Sequence, residues 1–165
     1  MTEQRNSRLT PQAVGAYGEK VVEAELLRHG WMPANVNKTV PNAEAFDILA
    51  YKGEILVKLR VKTCSPGTVG FVFPPFDEDQ KFDDKDFTIL VKMAPKREED
   101  QIFVMPTKVL HKHIGAYAAP ALARGLKNRR WTLRFAEHPT GERPAFGFDR
   151  KWAEYRGNWK LLEGQ

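Results

Sequence analysis

The sequence predicts an α/β domain built on a central β-sheet with a helix packed on one of its faces. Three observations carry that expectation. Residues 11–29 place apolar side chains at helical spacing. Residues 45–63 hold two strands joined by a tight turn. Two later apolar runs, residues 87–93 and 101–105, read as further strands separated by a charged turn.

The helix has clear boundaries. Thr10 is a natural N-cap, Pro11 suits the first helical position, and Gly30 supplies the stop. Val14, Val21, Val22, Leu26 and Leu27 recur along one stripe, which calls for an apolar partner layer. Residues 31–40 read as irregular or as a short strand between Pro33 and Pro41. The paired strands follow at residues 45–51 and 54–63, with Lys52-Gly53 as the hairpin signal. The second strand divides by its two-residue period. Ile55, Val57, Leu59 and Val61 face one side, while Lys58, Arg60 and Lys62 face the other. The apolar side is expected to pack against the first helix.

Residues 65–86 combine Pro, Gly and a dense acidic cluster, Asp77-Glu78-Asp79 and Asp83-Asp84. They are expected to form a solvated surface loop around a short strand at 69–73. Such acids can also mimic nucleic acid or cover a basic face. A short helix is predicted over 106–113, a last strand over 131–135 and a short closing helix over 149–156. Trp152, Tyr155 and Trp159, spaced by three and four, read as one buried helix face.

Composition narrows the class. A chain of 165 residues suits one domain, and 42% apolar with 28% charged residues is not the signature of disorder. The expected organisation is a flexible N-terminus at 1–10 and a single domain at 11–165. No apolar stretch approaches the roughly 20 residues of a membrane span. The polar N-terminus lacks a signal-peptide run, and the lone Cys64 fits a reducing compartment, so a cytoplasmic location is expected. The net charge of +5 is polarised, with 12 basic against 4 acidic residues between Lys108 and Lys160. Such an imbalance attracts a polyanion, DNA or RNA in the first instance.

Asp47 at the start of one strand and Lys62 at the end of its antiparallel neighbour are predicted to meet. Phosphodiester hydrolysis at neutral pH uses a divalent ion held by carboxylates, with an ammonium nearby to steady developing charge. Gly18-Glu19 on the helix, then Phe46-Asp47-Ile48, then Val61-Lys62-Thr63 resemble the PD-(D/E)xK nuclease superfamily over residues 14–65. The order of the later strands, and Asn158-Trp159-Lys160-Leu161-Leu162, are similar to small bacterial members. The resemblance implies a restriction-endonuclease-like mixed central β-sheet flanked by helices. It implies Mg²⁺ as cofactor, Asp47 as metal ligand and catalytic residue, Lys62 as catalytic lysine, and Glu19 as the helix acid that some branches use.

One position departs from that pattern. The acid expected two residues before the lysine is Arg60, and a guanidinium stays protonated and cannot ligate a cation. A like charge about 4 Å from a bound ion, at an effective dielectric near 20, costs at most on the order of 4 kcal/mol, or a thousandfold in affinity. Glu44 or Glu54 would have to supply the missing ligand. Alternatively, Lys58, Arg60 and Lys62, about 7 Å apart along one strand face, grip successive phosphates without metal. Two function classes therefore stand side by side, a Mg²⁺-dependent endonuclease and an inactive nuclease-like module that binds DNA, RNA or a protein partner. An interaction module unrelated to nucleic acid is a third. Cutting both strands of a duplex would favour a homodimer.

Weaker signals remain. Lys127, Arg129 and Arg130 are candidate nucleic-acid contacts, with Trp131 either stacking on bases or entering the core. His111 and His113 diverge on a helix and lack companion ligands. Cys64 reads as a space-filling strand residue rather than a nucleophile.

Overall fold

The computed structural model describes residues 9–36, 46–135 and 147–164. The first eight residues of the expected N-terminal arm, and Glu44, lie outside them. Helix α1 spans Pro11–Arg28, capped by the Thr10 hydroxyl, which accepts the Ala13 N–H at 3.2 Å. Gly30, at φ 78°, turns the chain out of the helix. Strands β1 (Met32–Asn35), β2 (Ile48–Lys52) and β3 (Ile55–Cys64) form an antiparallel meander. The β2–β3 turn falls on Gly53-Glu54, one residue later than expected, with Lys52 still paired to Ile55 and Gly53 at φ 59°.

Strands β4 (Gly70–Phe73), β5 (Asp86–Lys92) and β6 (Gln101–Pro106) follow, then helix α2 (Thr107–Leu122), strand β7 (Trp131–Arg134) and the short helix α3 (Phe148–Lys151). The main sheet runs β1-β2-β3-β5-β6, parallel between β3 and β5 and antiparallel elsewhere. A second, two-stranded sheet pairs β4 with β7. Strand β5 lies inside the sheet and is buried on both faces, which explains its unbroken Phe87-Thr88-Ile89-Leu90-Val91 run. Its one buried hydroxyl, on Thr88, is hydrogen-bonded to the Thr107 hydroxyl at 3.0 Å.

Two cores sandwich the sheet. Val21, Val22 and Leu26 of α1 pack on Ile48, Ala50, Val57, Leu59 and Ile89. On the other face, Leu110, Ile114 and Ala118 of α2 join Leu90, Phe103 and Met105, together with Phe71, Phe73, Trp131 and Leu133 of the small sheet. Burying such side chains stabilises by about 1.5–3 kcal/mol each. The closing segment docks beside β6, where the Gly157 N–H donates to the Ile102 carbonyl at 2.8 Å. No described helix is long and apolar enough to cross a membrane.

Several expectations change. The short helix at 106–113 is the first half of α2, which runs on to Leu122 with Pro120 in its last turn. Trp152 and Trp159 are both buried, but in opposite cores, because the chain between them breaks into 3-10 turns instead of one helix.

Gly18 is the tightest contact between α1 and β3. A Cβ there would lie 1.7 Å from the Thr63 hydroxyl, whereas one at Gly15 would meet nothing within 4 Å. Gly18→Ala is therefore expected to destabilise by about 1–3 kcal/mol. Gly15→Ala should be neutral or stabilise by up to about 1 kcal/mol. Urea denaturation of the two variants checks the contrast; equal midpoints would refute it.

Candidate functional site

The alternation predicted for β3 fixes the site. Val57 and Leu59 are buried against α1, so Lys58, Arg60 and Lys62 project from the opposite face. Asp47 is moored across from them by three backbone hydrogen bonds. Its N–H donates to the Leu59 carbonyl at 2.8 Å, and its carbonyl accepts the Val36 N–H at 2.9 Å. Its Oδ2 accepts the Val61 N–H at 2.7 Å, which sets the carboxylate against the strand between Arg60 and Lys62.

Lys62 is the electrostatic centre. Burial pushes its pKa below the ordinary lysine value, the Asp47 charge opposes that shift, and the guanidinium groups of Arg60 and Arg130 add to it. Asp47 and Lys62 thus share one neighbourhood. The Lys62 ammonium also lies 5.8 Å from the ring centre of Phe73. Arg130 arrives from the loop before β7, because β7 pairs with β4 and sets Trp131 opposite Phe73. No local pattern in the sequence marks that approach.

The other candidate residues are placed as follows. The Glu19 carboxylate accepts the Asn35 side-chain amide at 2.8 Å, and the same nitrogen reaches Glu23 at 2.9 Å. Asn35 pairs with Ile48 and shares its α1-facing side. Lys58 is held in two ion pairs, with Asp83 and Asp86, each at 2.8 Å. These hydrogen bonds raise the Lys58 pKa and hold the Asp83 carboxyl below its usual range. Lys127, Arg129 and Arg130 line one loop, with the Arg129 guanidinium 5.2 Å from the Trp131 ring centre. Trp131 itself is core. Cys64 is buried, with its thiol pKa raised by burial.

The acidic segment is the exposed surface loop expected of it, and its acids also reach basic side chains of β3 and α2. Residues 74–85 fold back as a flap over the cationic face of β3. Lys108 binds Asp84 at 2.6 Å, His111 Nε2 lies 2.8 Å from the Asp77 carbonyl, and Phe76 stacks on His111 at 4.5 Å. Two clefts open beneath the flap, and both are lined by Arg60, Gln80, Phe82 and Thr107. The one nearer Lys58 has a volume of about 220 Å³.

Among the described residues, Asp47 is the carboxylate set beside Lys62, and no group of three or more His, Cys, Asp or Glu side chains converges there. The Asp47 carboxylate accepts an amide hydrogen and stands among cations. Glu44 lies outside the described residues.

No protein-family model matches the chain. A UPF0102 protein of Salinispora arenicola is 41% identical over 59 residues, which is 36% of this chain and 49% of that protein. The match therefore spans about half the length of that relative. The solved structure of a bacterial homing endonuclease superposes with a TM-score of 0.55, covering 94% of this chain and 95% of that one, at 15% identity. The fold is restriction-endonuclease-like. The mixed sheet flanked by helices is the architecture that the sequence resemblance implied.

A buried lysine whose pKa is lowered weakens folding while it is charged, and that penalty lifts as pH rises through its folded pKa towards the ordinary value. Lys62→Met is therefore expected to match or exceed wild-type stability at pH 7. Chemical denaturation checks this, and a loss above about 1 kcal/mol would show that the charge holds the fold together.

Proposed function

We propose that this protein processes nucleic acid, binding the phosphate backbone of DNA or RNA through Arg60, Lys62 and Arg130. The observation that supports this reading best is the convergence of Arg60 and Arg130, from two distant segments, on the half-buried Lys62 ammonium, where Asp47 is the opposing charge. Like charges gathered in a partly desolvated site are costly, and a phosphate would relieve the cost. Arg60 stands where the nuclease resemblance expects an acid, and its planar guanidinium suits bidentate phosphate contact. Lys127 and Arg129 stand on the same loop as Arg130 and add to its positive charge. Lys58 contributes less while Asp83 and Asp86 hold it.

A second reading, phosphodiester hydrolysis at Asp47 and Lys62, is favoured by the proximity of those two side chains and by the endonuclease fold neighbour. Mg²⁺ binding in that case needs donors beyond the described set, with Glu44 three residues before Asp47 in sequence. The expected setting is the cytoplasm. A two-fold dimer is the arrangement that would offer one such face to each strand of a duplex.

Binding is expected to weaken steeply with salt. Replacing Arg60, Lys62 or Arg130 by Ala should lower the slope of log K against log salt by about 1 each. Fluorescence anisotropy across a salt series reads this directly, and unchanged slopes in all three variants would refute the proposed face. Plasmid nicking with Mg²⁺ or Mn²⁺, abolished by Asp47→Ala, is the outcome that would establish the second reading.

A further inference from the structure

The cleft between β3, the 74–85 flap and α2 is more than a gap beside Lys62. Phe73 forms its floor, with the Lys62 ammonium 5.8 Å from the ring centre. Its walls are aromatic. Phe76 stacks on His111 at 4.5 Å, and Phe82 meets the same imidazole edge-on at 5.1 Å. Gly115 of α2 lets the Phe76 ring seat against the helix, since a Cβ there would lie 2.7 Å from that ring. Arg60 and Lys62 line the β3 side, and Gln80 adds an amide that can both donate and accept.

The roof is held by charge. Lys58 to Asp83 and Lys108 to Asp84 tie the flap to β3 and α2. Asp77 also lines the cleft, but its carboxylate accepts the Asp79 N–H at 3.0 Å and closes its own turn. Flat apolar walls alone would admit many rings. Two cations on the inner side select a flat ring that carries an anion.

We propose that this cleft receives one unstacked nucleobase of a single strand, with the adjoining phosphate held by Arg60 and Lys62. The inference rests on the nucleic-acid reading above and narrows its substrate class to single-stranded or locally unpaired segments. Aromatic walls stack on any base face, so selection is for an exposed base and not for one sequence. A base in a duplex must first leave its stack, which costs a few kcal/mol that an unpaired strand does not lose. The flap therefore acts as a wall of the site, with Phe82 lining it beside His111.

The test compares a labelled oligothymidine, the same strand in a duplex, and a strand of matched phosphates whose residues are all abasic. Wild type is expected to bind oligothymidine about tenfold more tightly than the abasic strand. Phe82→Ala should erase that difference while changing duplex binding less than about twofold. Phe82→Leu, which keeps the apolar volume and removes the ring plane, should behave like Phe82→Ala and melt at the wild-type temperature. Equal affinity of wild type for the thymidine and abasic strands would overturn the base pocket and leave the phosphate-binding face standing. Uniform weakening of all three ligands by Phe82→Leu would overturn it as well. Failure of wild type to bind any of the three at low salt would overturn the nucleic-acid reading itself, a distinct result.

Discussion

The cost of burying the Lys62 ammonium on a strand inside the sheet governs this molecule. Strand β3 lies between β2 and β5, so one of its faces is given to α1 and the other cannot simply be solvent. Lys58, Arg60 and Lys62 occupy that second face, and the protein compensates them unequally. Lys58 receives two carboxylates. Burial lowers the proton affinity of Lys62, the Asp47 charge opposes that fall, and Arg60 and Arg130 add to it. A charge left only partly compensated in a cleft is poised for an external anion.

The flap follows from the same constraint. Its acids fall where β3 and α2 present lysines, and its aromatics fall where α2 presents His111. Exposed ion pairs of this kind contribute roughly 0–1 kcal/mol each, too little to lock the segment and enough to bias its position. The substitution of Arg60 for an acid changes the character of the nuclease-like pocket. An acid there would attract positive ions, whereas the Arg60 guanidinium repels them and favours an anion.

Much of this was legible in the sequence because it is local. The Thr10-Pro11 cap, the two-residue period of β3, the Gly53 turn and the proximity of Asp47 to Lys62 each depend on residues close in sequence or joined by one hairpin. The features that were not legible depend on distant partners. The β4–β7 sheet, which brings Arg130 to Lys62, joins segments some sixty residues apart and leaves no period to read. The folding of the acidic segment over β3 follows from where Lys58, Lys108 and His111 converge in space. Trp152 and Trp159 keep helical spacing without a helix, so spacing alone assigned them to one face when they fill two cores.

The most direct test of the central claim is the pKa of Lys62 itself, followed by NMR on its side-chain nitrogen in the free protein and with a bound oligonucleotide. The account predicts a value below that of an ordinary lysine in the free protein and a rise when phosphate arrives. An ordinary value that does not respond to the oligonucleotide would contradict it.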